Sequence, residues 1–258
     1  MTTREVVVHH DASLLAAAVA ARLITRVVDA QSAQGSASVV LTGGGIGVAV
    51  LAAIASSPAR DAIDWRRIDL WWGDERYLPS GHAERNETQA RDALLDRLED
   101  LAPAHVHPMP ADDGSTTVED AADAYARVLA AAARPEDHGP VPRFDVVLLG
   151  IGPDGHVASL FPGQPGVYDE RPVLAVRGAP KPPPQRISLG FSALCSGREV
   201  WVVAAGAEKA GVVSLALSGA GRVQLPAAGV TGQARTLFLL DRAAAGQLAG
   251  RLGRIASP

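Results

Sequence analysis

The chain has 258 residues, with 24 Lys and Arg against 28 Asp and Glu and a net charge of −4. It carries no basic stripe of the kind that follows a nucleic-acid backbone, and the single cysteine, Cys195, excludes an intramolecular disulfide. Hydrophobic residues make up 47% of the chain, enough to fill one large α/β domain or two small ones.

The first residues, "MTTREVVVHHDASL", contain no apolar stretch of the signal-peptide type. The apolar run "LLAAAVAA" (14–21) is interrupted by Arg22 before it reaches the length of a bilayer span. With a lone cysteine suited to a reducing compartment, these features predict a cytoplasmic protein with no membrane or nucleic-acid partner.

In chain order, "EVVV" (5–8) reads as a short strand, and His9-His10 as its exit. Asp11 takes the N-cap position of an Ala-rich helix running to about Ala33. "ASVVLT" (37–42) is a second strand, and "GVAVLAAIA" (47–55) is helical until Pro58. "RIDLWW" (67–72) is the next strand, followed by a helix over "ETQARDALLDRL" (87–98). Thr116-x-x-Glu119 suggests a capping box before a helix over 120–133. After the polar loop 134–143 come four strand candidates, 144–150, 172–176, 199–205 and 234–240, and helices over 207–217 and 242–252. The strands are continuous apolar runs that alternate with helices. That pattern predicts an α/β fold with a mostly parallel, Rossmann-like sheet covered by helices on both faces. Ligands of such sheets bind beyond the carboxyl ends of the strands, so the residues at those ends are the candidate site.

The strand 37–42 ends in Thr42-Gly43-Gly44-Gly45-Ile46-Gly47 and runs into a helix. This stretch satisfies neither G-x-G-x-x-G nor the Walker A pattern. It is a tight turn or a phosphate cradle, in which bare glycine amides and a helix N-terminus face an anion. The strand 67–72 ends in Gly73-Asp74-Glu75-Arg76, with His82 and Asn86 beyond. This is either a solvated loop with an Asp–Arg pair, or a site where Arg76 reaches an anionic or carbonyl oxygen and an acid orients it, with Asp74 counted among the catalytic candidates. The strand 144–150 leads into Pro153-Asp154-Gly155-His156. There a histidine can move protons near neutral pH, and a carboxylate two residues away can hold its tautomer. Arg186 closes the proline-stiffened "APKPPPQRISL" (179–189), and Lys209 lies in the first turns of a helix, a poor place for a cation unless an anion sits there. His105-x-His107 has strand spacing but no third metal ligand, and reads as structural.

Together, "LTGGG" (41–45), "WWGDERYLP…H…RN" (71–86), "FDVVLLGIGPDGHVASLFPG" (144–163), "PPPQRISL" (182–189) and the looser "GAEKA" (206–210) resemble the 6-phosphogluconolactonase family, over nearly the whole chain. The family shares its fold with glucosamine-6-phosphate deaminases. The resemblance implies a single domain spanning 1–258 that hydrolyses 6-phosphogluconolactone to 6-phosphogluconate without metal or organic cofactor. Its partner would be that small sugar-phosphate lactone, and the expected state is a monomer or weak homo-oligomer. It implies His156 as general base, with Asp154 orienting the site or stabilising the imidazolium, and Arg76 or backbone N–H groups at the oxyanion. Arg186, Lys209 and the amides of Gly43, Gly44 and Gly45 would hold the phosphate. The deaminases carry an Asp-Glu-Tyr segment and an acid shortly after the histidine, in an "FNEPG"-like stretch. Here the segments read Asp74-Glu75-Arg76 and "SLFPG", with no acid between His156 and Pro162, which favours the lactonase. Gly45 departs from the Ser or Thr of many members and removes a hydroxyl donor. Ser159 lies outside any G-x-S-x-G elbow and is not expected to be a nucleophile.

Overall fold

The computed structural model describes residues 4–137 and 139–248. In chain order the elements are β1 (Arg4–His9), α1 (Ala12–Gln34), β2 (Ala37–Leu41), α2 (Gly44–Ser56), β3 (Ile68–Trp72), β4 (Asp74–Arg76), α3 (Asn86–Ala93) and α4 (Val118–Ala132). They continue with β5 (Val146–Gly150), β6 (Val173–Val176), β7 (Arg186–Leu189), α5 (Phe191–Leu194), β8 (Glu199–Ala204), α6 (Ala210–Leu217) and β9 (Arg235–Asp241).

Six strands form one sheet in the order β1-β9-β8-β5-β2-β3, and every pairing within it is parallel. Strand β8 is buried throughout, and β5 and β9 at all but one residue each, as expected for apolar runs sandwiched between helices. The order in which strands are added reverses between β2 and β5, so the connections that leave their carboxyl ends run to opposite faces of the sheet and leave a crevice. At its floor the hydroxyl of Thr42 accepts the Gly150 N–H at 3.1 Å.

Local chemistry sets several boundaries. Asp11 caps α1 by accepting the Leu14 N–H at 2.8 Å. Gly35, at φ 85°, ends the helix and donates its N–H to the Gln31 carbonyl, a left-handed stop that glycine enters without cost. The expected capping box is displaced by one residue. Thr117, not Thr116, caps α4 through the Asp120 N–H, because Asp113 engages the N–H and hydroxyl of Thr116. The helix expected over 87–98 stops at Ala93, where Leu94 leaves helical geometry (φ −144°, ψ −54°), and a short 3-10 turn follows. Residues 242–247 form turns instead of the expected helix, and the remainder of that expected segment, 249–252, lies outside the described residues.

A second, three-stranded antiparallel sheet, ordered β4-β7-β6, accounts for two segments that the sequence reading placed differently. Asp74–Arg76 is a strand and not a loop, and 172–176 belongs to this small sheet and not to the parallel one. Gly73 is the hinge between the two sheets. Its N–H donates to Leu41 of the parallel sheet, and its carbonyl accepts from Leu189 of β7.

The His105 and His107 rings both contact Asp69 Oδ1, at 3.2 and 2.8 Å, and His107 stacks on Trp71 at 3.9 Å. Among the described residues no three His, Cys, Asp or Glu side chains are arranged to hold a metal ion. No helix among them is long and apolar enough to cross a membrane.

Candidate active site

A cavity of about 900 Å³ opens over the carboxyl ends of β2, β5 and β8. All nine candidate residues line it except Asp154, which reaches it through His156: Gly43, Gly44, Gly45, Asp74, Arg76, His156, Arg186 and Lys209.

The glycine wall comes first. Gly43 stands before α2 and supplies no side-chain cap, so the first-turn N–H groups are left to the cavity. A Cβ on Gly43 would lie 1.9 Å from Oδ1 of the buried Asn86. Gly44 has φ +76°, whereas a Cβ on Gly45 would meet nothing within 4 Å. Each of the first two glycines therefore has a stated reason to be glycine, and the third does not.

The turn after β5 carries the Asp–His pair. The Gly152 N–H donates to the His156 carbonyl, and the Gly155 N–H to the Gly152 carbonyl, both at 2.9 Å. Gly155 adopts φ +86°. The turn brings His156 Nδ1 to 2.5 Å from Asp154 Oδ1. A Cβ on Gly152 would fall 2.0 Å from that same Nδ1, so glycine is the only residue that lets the imidazole lie over the turn. Burial pushes the Asp154 carboxyl upward, but the hydrogen bond and charge of His156 outweigh it and hold it at about 2. The carboxylate is thus ionised at neutral pH. It fixes the tautomer with Nδ1–H toward the acid and leaves Nε2 basic. On the ring's side, Phe161 packs at 4.7 Å between centroids.

The cationic wall is built on the small sheet. Arg76 and Arg186 are cross-strand partners on β4 and β7, which puts two guanidinium side chains on the same face of one rung, a destabilising placement unless an anion joins them. Burial lowers the Arg186 pKa, and Arg76 adds to that effect while Asp74 opposes it. Arg186 Nε donates to the Pro183 carbonyl, and Nη2 to those of Lys181 and Pro182. The guanidinium therefore clasps the proline loop and keeps Nη1 for the cavity. Its Cζ also lies 5.8 Å from the centre of the Phe161 ring. Lys209 faces the same cavity from the start of α6, its pKa lowered by burial and by Lys181 while Glu208 pulls the other way.

Asp74 and Glu75 take different partners in the 74–86 segment. Arg76 Nη1 donates to the Glu84 carbonyl at 2.5 Å, not to Asp74. Instead Asp74 Oδ2 accepts the Ser159 hydroxyl at 2.7 Å and stands 4.0 Å from Arg186 Nη1, while Oδ1 accepts from Asn86 Nδ2 at 3.2 Å. The orienting acid for this segment is Glu75, fully buried, which accepts the N–H groups of Arg76, Asn86 and Glu87. Burial raises the Glu75 carboxyl to about 7 against the pull of Arg85 and those three N–H groups.

Sequence reasoning gave no role to Lys181 or Phe161, and weighed Ser159 only as a nucleophile. For Lys181 a signal existed, a cation beside the proline run. Ser159 acts through Asp74, 85 residues away, and nothing local marks that pairing.

The chain is 62% identical to 6-phosphogluconolactonase of Streptomyces coelicolor, over 95% of both sequences. It is 47% identical to 6-phosphogluconolactonase of Mycobacterium tuberculosis, over 92% of this chain and 96% of that one. The solved structure of 6-phosphogluconolactonase from Trypanosoma brucei superimposes with a TM-score of 0.81 at 28% identity, covering 96% of this chain and 100% of the other. A family model described as glucosamine-6-phosphate isomerases/6-phosphogluconolactonase matches residues 10–239, and with glycine wall, Asp–His turn and paired arginines all inside that span, the chain belongs to this family.

Proposed function

We propose that this protein hydrolyses 6-phospho-D-glucono-1,5-lactone to 6-phospho-D-gluconate, the second step of the oxidative pentose phosphate pathway. The relatives named above support the reaction. The observation that carries its chemistry is the 2.5 Å Asp154–His156 contact, in a cavity whose lining also includes Arg76, Arg186, Lys209 and the glycines 43–45.

His156 is the general base. A δ-lactone is an activated ester, so water attacks its carbonyl carbon directly while Nε2 takes the proton. Asp154 holds the ring and stabilises the imidazolium. The tetrahedral intermediate carries its negative charge on the former carbonyl oxygen, and Arg76 or nearby backbone N–H groups stabilise it. As the intermediate collapses, the bond from C1 to the ring oxygen breaks and the imidazolium returns its proton to that oxygen. The products are a hydroxyl and a carboxylic acid, which ionises. Lys209, Arg186 and the amides of Gly43, Gly44 and Gly45 hold the phosphate, so that remote binding energy positions the carbonyl.

The absence of an acid between His156 and Pro162 argues against a deaminase, which needs a further relay for ring opening. Acid release from freshly generated lactone, corrected for spontaneous hydrolysis, tests the reading. Turnover that falls by roughly two to four orders of magnitude in His156→Ala is the expected result. Ammonia release from glucosamine 6-phosphate in place of lactone turnover would overturn it.

A further inference from the structure

Ser159 is 2% exposed and follows Ala158, whose φ of 49° puts a non-glycine residue in the left-handed region. A strained residue of this kind persists only where its neighbours are held firmly, and Ser159 is held twice. Its N–H donates to the Ser188 hydroxyl at 3.1 Å, and its own hydroxyl donates to Asp74 Oδ2 at 2.7 Å. Asp74 and Ser188 are partners on one rung of the β4–β7 ladder. The turn bearing His156 comes from the parallel sheet and is therefore docked, through one serine, onto a single rung of the other sheet. Two residues along those same strands is the Arg76–Arg186 rung.

We propose that Ser159 and Asp74 form a positioning couple that sets the distance between the base, His156, and the arginine pair. Neither residue touches the reacting atoms. Asp74 contributes as the fixed acceptor to which the catalytic turn is tied, and not as a proton carrier. The inference rests on the reading of His156 as general base. A lactone whose charged end is held by one wall and whose carbonyl must meet Nε2 on the other is sensitive to that separation, because misplacement by about 1 Å costs on the order of 100-fold in rate.

The test compares Ser159→Ala and Ser159→Cys, the second keeping the volume while weakening the hydrogen bond. Both are expected to lower kcat by roughly 10- to 100-fold, with KM within about threefold and melting temperature within about 4 °C of wild type. In proton NMR, the low-field Nδ1–H signal expected from the short His156–Asp154 hydrogen bond should move upfield or broaden in both variants. The Ser159→Ala effect on kcat should shrink in an Asp74→Asn background, as for two residues acting as one unit. Wild-type kcat in Ser159→Cys, or an unchanged Nδ1–H signal in both variants, overturns the couple. Wild-type kcat in His156→Ala overturns the base assignment instead, and the couple is then decided by the NMR signal and the Asp74→Asn background on whatever turnover remains.

Discussion

The Nδ1 atom of His156 lies 2.5 Å from Oδ1 of Asp154, and the two side chains share one turn whose conformation depends on Gly152 and Gly155. Most of what can be measured on this site follows from that contact and from the two walls around it.

Asp154→Asn should lower kcat by roughly 10- to 100-fold, since it keeps the shape and removes the charge that stabilises the imidazolium. The folded-state pKa of Asp154, about 2, is below its ordinary 3.8. The pair therefore adds stability that is complete above the ordinary value and is lost as pH falls through about 2. Acid unfolding checks this. The difference in stability between wild type and variant should shrink as pH falls from about 4 to 2. A difference equally large at both ends would refute the assignment.

Gly152→Ala should abolish turnover by displacing the base, not by unfolding the chain. The new Cβ would fall 2.0 Å from His156 Nδ1 and 2.4 Å from Asp154 Oδ1, and the side chains must swing away. A kcat loss of about 100-fold or more, with circular dichroism unchanged, is the expected outcome. Normal turnover would mean that the imidazole does not work from this position.

Adjacent glycines of the glycine wall should respond in opposite ways. Gly44→Ala forces a side chain into φ +76° and should cost about 1–2 kcal/mol. Gly45→Ala meets open space within a helix and should stabilise by up to about 1 kcal/mol. Gly45→Ser should fold equally well and lower KM for the phosphorylated lactone by restoring a hydroxyl donor. Thermal melts and steady-state kinetics distinguish the two positions, and equal effects at both would count against this geometry.

Lys209→Met should raise KM for the phosphorylated lactone by roughly 10- to 100-fold, the range for one charge-assisted hydrogen bond, with a smaller effect on unphosphorylated gluconolactone. Equal losses on both substrates would remove Lys209 from the phosphate site.

Glu75→Gln should change how stability depends on pH. Burial raises the Glu75 carboxyl from 4.5 to about 7, so in the intervening range the unfolded chain loses its proton before the folded one. The stability that this group contributes is complete below about pH 4.5 and is lost as pH rises through about 7. The stability of wild type relative to Glu75→Gln should therefore decline across that window and level off above it, as read by urea unfolding at a series of pH values. A flat difference would show that the buried carboxyl does not titrate there.

Legibility in the sequence followed the range of the interaction. Helix α1 was readable at both ends because Asp11 and Gly35 act on backbone groups within four residues. The helix α4 start was misplaced by one residue because two adjacent threonines offer the same hydroxyl, and Asp113 engages one of them. The charged strand Asp74–Arg76 resembled a loop because its pairing partner, β7, comes much later in the chain. No local periodicity can announce a three-residue strand.

The sequence by itself determined the parallel sheet, the glycine wall and the Asp154–His156 turn, since each depends on residue type and close spacing: apolar runs, glycines, and an acid two positions from a histidine. Only the tertiary structure decided what Asp74 does. Its partner Ser159 is 85 residues away, so Asp74 ties down the turn that bears His156 and not the nearby Arg76. A carboxylate's neighbours in a folded chain are set by which strands cross at its rung, and sequence spacing carries no record of that crossing.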